Sequence, residues 1–187
     1  MIRTFIAIKI EPGKDLIDLM NVCTKSLRNE SIKWVEPENM HLTLKFLGDT
    51  SVEQVERVKE FLDKKISRFA VFNFIIHGLG YFKSNGQPRV IYSGIKDYQV
   101  LKDLNIEIGN EMLQLGFQKE SREFNPHLTL GRIKSVKNKK SLFQLMEKYG
   151  NQKIQVVKVT EVIFYQSILK PQGPIYQPLK KVVLKGN

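Results

Sequence analysis

Two periodicities divide this chain. Where apolar residues alternate with polar ones, one face of a strand can bury while the other stays solvated; where they recur every three to four positions, they form the apolar stripe of a helix. Arg3 to Ile10 reads as a strand. A helix follows on Leu16, Leu19, Met20, Cys23 and Leu27, with Pro12 where a helix can start. Ser31 to Val35 is a short strand, and Glu36-Pro37-Glu38-Asn39 is a turn leading into a strand that stops near Gly48. Ser51 and Gln54 fit a capping box that opens a second helix to about Lys65. Phe69 to Gly78 and Arg89 to Ile95 are strands, with loops or turns at Gly78, Gly80 and Asn85-Gly86. Asp97 is placed to cap a third helix carrying Val100, Leu101, Leu104, Ile108, Met112 and Leu115. A strand around His127, a fourth helix from Lys139 to Tyr149, and strands at Ile154–Val159, Glu161–Leu169 and Tyr176–Leu184 complete the chain, with a final loop at Pro171-Gln172-Gly173-Pro174. Four helices and about eight mostly antiparallel strands make an α+β fold.

One pattern occurs twice. Asn39-Met40-His41-Leu42-Thr43-Leu44 and Asn125-Pro126-His127-Leu128-Thr129-Leu130 share His-Leu-Thr-Leu, each with an Asn two residues before the His. Alternation buries Leu42 and Leu44, or Leu128 and Leu130, and projects His41 with Thr43, or His127 with Thr129, from the opposite face. A single His-x-Thr would suit the solvated face of any edge strand, but two matching copies point to a shared site. The placement repeats as well: 36 positions separate the strand centre Phe5 from His41, and Ile91 from His127 (41 − 5 and 127 − 91). Each interval contains a helical pattern. The chain therefore reads as one domain, 1–187, of two pseudo-symmetric lobes. His77, alone on an apolar strand, is read as structural.

Composition narrows the classes. Cys23 is the only cysteine, so an internal disulfide and a cysteine metal cluster are excluded, and its apolar helical neighbours mark it as a buried thiol. No run approaches the ~20 apolar residues of a membrane span, and the opening lacks the pattern of a signal peptide. A cytoplasmic monomer with no obligatory protein partner is expected. The formal charge of +11 favours a polyanionic partner such as RNA, although on its own lysine-rich composition also serves solubility. Histidine zinc ligation is set aside because no carboxylate or cysteine shares the motif strands, and no cofactor is expected.

The two motifs resemble the paired His-x-Thr-x motifs of the two-histidine phosphoesterases. Further blocks resemble one branch of that superfamily, the LigT-like RNA 2′,3′-cyclic phosphodiesterases once named 2′-5′ RNA ligases: Arg3-Thr4-Phe5-Ile6-Ala7-Ile8, Trp34 through Gly48, Pro88-Arg89-Val90-Ile91-Tyr92 and Tyr165-Gln166-Ser167-Ile168-Leu169. The resemblance implies a bilobal, internally duplicated α+β fold with two mostly antiparallel sheets facing a cleft and helices outside. It implies hydrolysis of a terminal 2′,3′-cyclic phosphate to a 2′-phosphate on RNA ends or nucleotides, with ligation as a secondary activity.

The residues fit that chemistry without a metal. Two imidazoles can supply acid and base near neutrality. His41 is assigned as proton donor and His127 as proton acceptor, an order the sequence itself leaves open. Thr43 and Thr129 can donate hydrogen bonds to phosphoryl oxygens. Lys45 and Arg132 are candidates for charge contacts and Phe5 for base stacking, with Trp34 and Tyr81 as further aromatics. Strict alternation puts Lys45 beside His41 but turns Arg132 away from His127, so Arg132 reaches the phosphate only if Gly131 permits a bulge or the strand ends there. The alternative readings are an enzyme of the same superfamily acting on a small cyclic nucleotide or ADP-ribose cyclic phosphate, and a non-catalytic module that binds RNA ends.

Overall fold

Each apolar period becomes an element in the computed structural model, which describes residues 1–119, 123–171 and 173–186. In chain order the elements are β1 (Ile2–Lys9), α1 (Lys14–Ser26), β2 (Ser31–Trp34), β3 (His41–Thr50), α2 (Val52–Lys64), β4 (Phe72–Ser84), β5 (Gln87–Lys96), α3 (Gln99–Gln114), β6 (His127–Ser135), α4 (Lys139–Tyr149), β7 (Lys153–Val159), β8 (Glu161–Lys170) and β9 (Gly173–Val183). Among the described residues these are nine strands and four α-helices, where about eight strands were expected. Gln172, in the expected final loop, lies outside the described residues, as does Asn187.

Local chemistry sets most boundaries. Ser51 and Gln54 form the reciprocal capping box at the start of α2. Asn138 caps α4, its side chain accepting from the backbone of Lys140 and Ser141. Two expected starts move. Pro12 lies outside α1, which begins at Lys14 behind an uncapped Gly13. Asp97 takes φ 57 and Tyr98 occupies the N-cap of α3, with no side-chain bond to that helix end. Gly78 and Gly80, expected in a loop, lie inside β4 at a bulge. At Gly78 (φ +70) a Cβ would sit 2.3 Å from the carbonyl oxygen of Gly150, so no larger residue fits that bulge. The β4–β5 hairpin turns on Asn85 and Gly86, both at positive φ, as a two-residue turn of this hand requires.

The strands form two sheets, ordered β3-β1-β8-β9 and β2-β6-β5-β4-β7, and every pairing between named strands is antiparallel. Helices α2 and α3 pack on the four-stranded sheet, while α1 and α4 pack on the five-stranded one. The helix-facing sides share one apolar core that includes Ile6, Leu42, Leu44, Phe74, Ile91, Leu128 and Phe164. The opposite faces line the cleft, where Phe5, Ala7, Ile163 and Tyr165 form a small separate cluster. No helix among the described residues is long and apolar enough to cross a membrane.

The two motif strands lie side by side between the sheets, because β3 is an edge strand of one sheet and contacts β6 of the other. Their local partners correspond: β3 pairs with the strand that precedes α1, and β6 with the strand that precedes α3.

Candidate active site

The same irregularity occurs in both motif strands. Against β1, Ile6 faces Lys45 and the next residue, Ala7, faces Thr43, leaving Leu44 as the extra residue. Against β5, Ile91 faces Gly131 and Tyr92 faces Thr129, leaving Leu130 as the extra residue. An extra residue leaves a carbonyl that the ladder does not pair. Both carbonyls find donors elsewhere. The amide nitrogen of Asn105 on α3 donates to Leu44 O at 2.7 Å, and the backbone N–H of Val35 donates to Leu130 O at 2.9 Å.

The bulge reverses the alternation beyond it. Leu44 and Lys45 are both buried and Phe46 is exposed; Leu130 and Gly131 are both buried and Arg132 is exposed. Arg132 thus shares the cleft face with His127 and Thr129. Lys45 does the opposite of what alternation implied. It pairs with Ile6 on the core side and is 5% exposed, so the structure does not bring it to the histidines.

Gly131 is small for a steric reason. A Cβ there would lie 2.9 Å from Trp34 Cε3 and 3.1 Å from Ile32 Cγ2. Gly131→Ala is expected to destabilise the fold by about 1–3 kcal/mol, the usual range for overpacking, and to weaken substrate binding by re-aiming Arg132. Thermal melts beside KM measurements check this; an unchanged melt with an unchanged KM would contradict it.

Each imidazole is held in the same way. His41 Nδ1 lies 2.7 Å from Asn39 O, and His127 Nδ1 lies 2.8 Å from Asn125 O. A carbonyl only accepts, so Nδ1 carries the hydrogen in both and Nε2 is left for chemistry. Any residue two positions before the His could supply that carbonyl, so these bonds do not explain why both are asparagine. Aromatic rings clamp each imidazole: Phe5 and Tyr176 at 5.0 and 4.9 Å from His41, Phe82 and Tyr92 at 4.9 and 5.7 Å from His127. Tyr92 stacks on Phe82 at 4.1 Å. The alternation of β5 puts Tyr92 on the same face as Gly94, but only the pairing of β5 with β6 sets that face beside His127. The position of Tyr176 depends on how β9 pairs with β8 and carries no local signal.

Phe5 plays a different part from the one expected of it. At 3% exposure, stacked against Tyr165 and tilted against His41, it backs the imidazole and offers no ring face to a ligand. The exposed aromatic on this face is Phe46, 44% exposed, with the Arg3 guanidinium 4.8 Å from its ring centre. Strict alternation turns Phe46 inward, which hides it from a reading of the sequence. Trp34 packs over Gly131, and Tyr81 lies against Phe143 on α4. Cys23 is fully buried, which pushes its thiol up to about 12 and leaves it inert as a nucleophile.

Electrostatics links the two sheets. Burial lowers the His41 pKa below the ordinary histidine value; the Asn39 bond opposes this, and the positive charge of Arg132 on β6 adds to the lowering. Arg132 also acts on Tyr176, whose pKa burial raises and whose cationic neighbours Arg132 and Arg3 pull back. One guanidinium therefore reaches the first imidazole from the strand carrying the second. In Arg132→Met the His41 pKa is expected to rise toward 6.5, because a like charge is removed from the imidazolium. A histidine C2–H titration by NMR reads this directly; a downward shift or none would contradict it.

Comparisons with known proteins converge. A family model described as LigT like Phosphoesterase matches residues 8–92 and 96–176. An RNA 2′,3′-cyclic phosphodiesterase of Thermotoga maritima is 36% identical over 186 residues, covering 98% of this chain and 96% of its own. A protein of the same name from Methanothermobacter thermautotrophicus is 32% identical over 180 residues, covering 96% and 97%. The crystal structure of E. coli LigT complexed with 3′-AMP superposes with a TM-score of 0.77 at 26% identity, covering 98% of each chain. A Thermus thermophilus structure superposes at 0.80 with 24% identity, a likeness of fold.

Proposed function

The chain belongs to the LigT-like phosphoesterase family, and from that premise we propose that it is an RNA 2′,3′-cyclic phosphodiesterase that opens a terminal cyclic phosphate to a 2′-phosphomonoester. The observation that carries this reading is the matched pair of imidazoles. Each has Nδ1 fixed on a carbonyl and a threonine two residues on, and Arg132 acts on His41 from the strand of His127.

In this reading the two histidines divide the proton transfers between them. Water attacks phosphorus and passes a proton to His127 Nε2. The P–O3′ bond breaks, and His41 Nε2–H donates its proton to the departing O3′. The product is a 2′-phosphate with a free 3′-hydroxyl. Thr43 and Thr129 donate to the non-bridging oxygens, and Arg132 balances their charge as it builds. Burial and Arg132 make the His41 proton easy to release; the phosphate anion lying against Arg132 offsets that charge and favours loading the proton when substrate is present. These groups cover acid, base and charge neutralisation, so no metal is assigned. A 5′-hydroxyl acting in reverse across the same groups would join ends through a 2′-5′ bond, as a minor activity. Phe46, with Arg3 on its ring, is positioned to stack the terminal base.

The test is an oligoribonucleotide ending in a 2′,3′-cyclic phosphate, incubated with the protein in EDTA and mapped by mass spectrometry with nucleases that distinguish 2′- from 3′-phosphates. A 2′-phosphate formed at undiminished rate is expected. A 3′-phosphate, or loss of turnover in chelator, would overturn the mechanism.

A further inference from the structure

The five-stranded sheet has an unusual charge. None of its strands contains an Asp or Glu, while Lys33, Lys83, Arg89, Lys96, Arg132, Lys134, Lys153 and Lys158 all lie in them. One row on its cleft face starts at the reaction centre. His127 on β6 pairs with Gly94 on β5, Gly94 with His77 on β4, and His77 with Lys153 on edge strand β7. Directly paired residues share a face, so His77 and Lys153 belong to the side that carries His127. With strands about 4.8 Å apart, His77 stands roughly 10 Å beyond His127.

The floor between them carries no side chain. A Cβ built on Gly94 would meet only a backbone oxygen, that of His77, within 4 Å. His77 is half-buried and Lys153 is exposed. At the sheet edge, Lys153 also lines a groove of about 400 Å³ with Lys14, Asp15 and Val156. The corresponding row on the other wall carries a side chain where this one has glycine. There Lys9, not glycine, pairs with His41, and its ammonium is held by Glu11 at 2.9 Å. Glu38 lines the cavity of about 130 Å³ beside it.

We propose that the RNA chain 5′ to the cyclic end leaves the reaction centre over Gly94, and that His77 and Lys153 bind its first upstream phosphodiester. This rests on the cyclic phosphodiesterase reading and adds a subsite to it, whose consequence is that an oligoribonucleotide is bound better than a mononucleoside cyclic phosphate. Gly94 leaves the floor without a side chain; His77 donates from its ring and Lys153 supplies a point charge.

The experiment compares kcat/KM for a tetraribonucleotide ending in 2′,3′-cyclic phosphate with that for a mononucleoside 2′,3′-cyclic phosphate, across a salt series. The wild type is expected to favour the tetranucleotide. In His77→Asn with Lys153→Gln that advantage should fall about tenfold, through KM, as expected when a charge-assisted hydrogen bond is removed. The salt slope for the tetranucleotide should flatten by about 0.7 for each phosphate that the variant no longer neutralises. Lys153→Gln alone, at an exposed edge position, carries the test should the double variant fold poorly. Lys65→Gln, at the end of α2, is the charge-matched control. An unchanged ratio and slope, or the same flattening in the control, would overturn the inference while leaving the activity intact. No turnover of either substrate by the wild type would overturn the activity reading itself, and the inference with it.

Discussion

His41→Ala and His127→Ala should each lower turnover of a 2′,3′-cyclic phosphate by at least ~10²-fold, the low end for general acid–base catalysis. The losses should fall in kcat, because in the proposed mechanism both imidazoles act while bonds are breaking and contribute less to ground-state binding. The double variant should be little worse than either single one, since removing one proton carrier already disables the pair. Neither substitution removes core packing: both rings lie on the cleft face, and Leu42 and Leu128 hold the other side of the same strands. Near-normal turnover in either single variant would remove that histidine from the mechanism. The pH profile of the wild type should be bell-shaped, its limbs belonging to the pair.

The other face of the motif should respond in the opposite way. Leu128 is fully buried between the β6 strand and the core, so Leu128→Ala should cost about 2–5 kcal/mol of stability, the range for a large-to-small change at a closely packed site. The variant that remains folded should keep a kcat close to wild type, because His127 and Thr129 stay fixed by the β5 pairing and the Asn125 bond. Denaturant melts beside active-site-normalised kinetics separate the two effects. A stable Leu128→Ala, or one that folds fully and loses kcat as deeply as His127→Ala, would contradict the division of the strand into a packing face and a chemical face.

That division was legible in the sequence because strand alternation is local. His-Leu-Thr-Leu sorts its own side chains, and its recurrence marks both histidines and both threonines without any knowledge of the fold. The alternation misleads only past the bulge. Lys45 and Arg132 sit four and five residues after their histidines, and one extra residue at Leu44 or Leu130 exchanges their faces. Gly131 hints at this; nothing around Leu44 does, since the donor that satisfies its carbonyl, Asn105, comes from another element 61 residues away. Alternation places Phe5 on the correct face but is silent on its burial, which depends on Tyr165 and Tyr176 from the far end of the chain. A lone histidine in an apolar run, His77 reads as structural; only the pairing of β4 with β5 sets it in the row of His127.

Tyr165 shows how the wall behind His41 is built. It is 6% exposed, and burial, with the charges of Glu161 and Glu11 adding, pushes its phenol up to about 12. The phenol is thus held in its neutral form, and its ring packs against Phe5.

The most direct test is a crystal structure with a nucleoside 2′-phosphate bound. The phosphate should lie between the two motifs, with Nε2 of His41 and Nε2 of His127 each within about 2.6–3.2 Å of a phosphate or ribose oxygen, and with Thr43, Thr129 and Arg132 on the remaining oxygens. A phosphate held by one imidazole with the other turned away, or seated elsewhere on the basic surface, would contradict two-histidine catalysis in this protein.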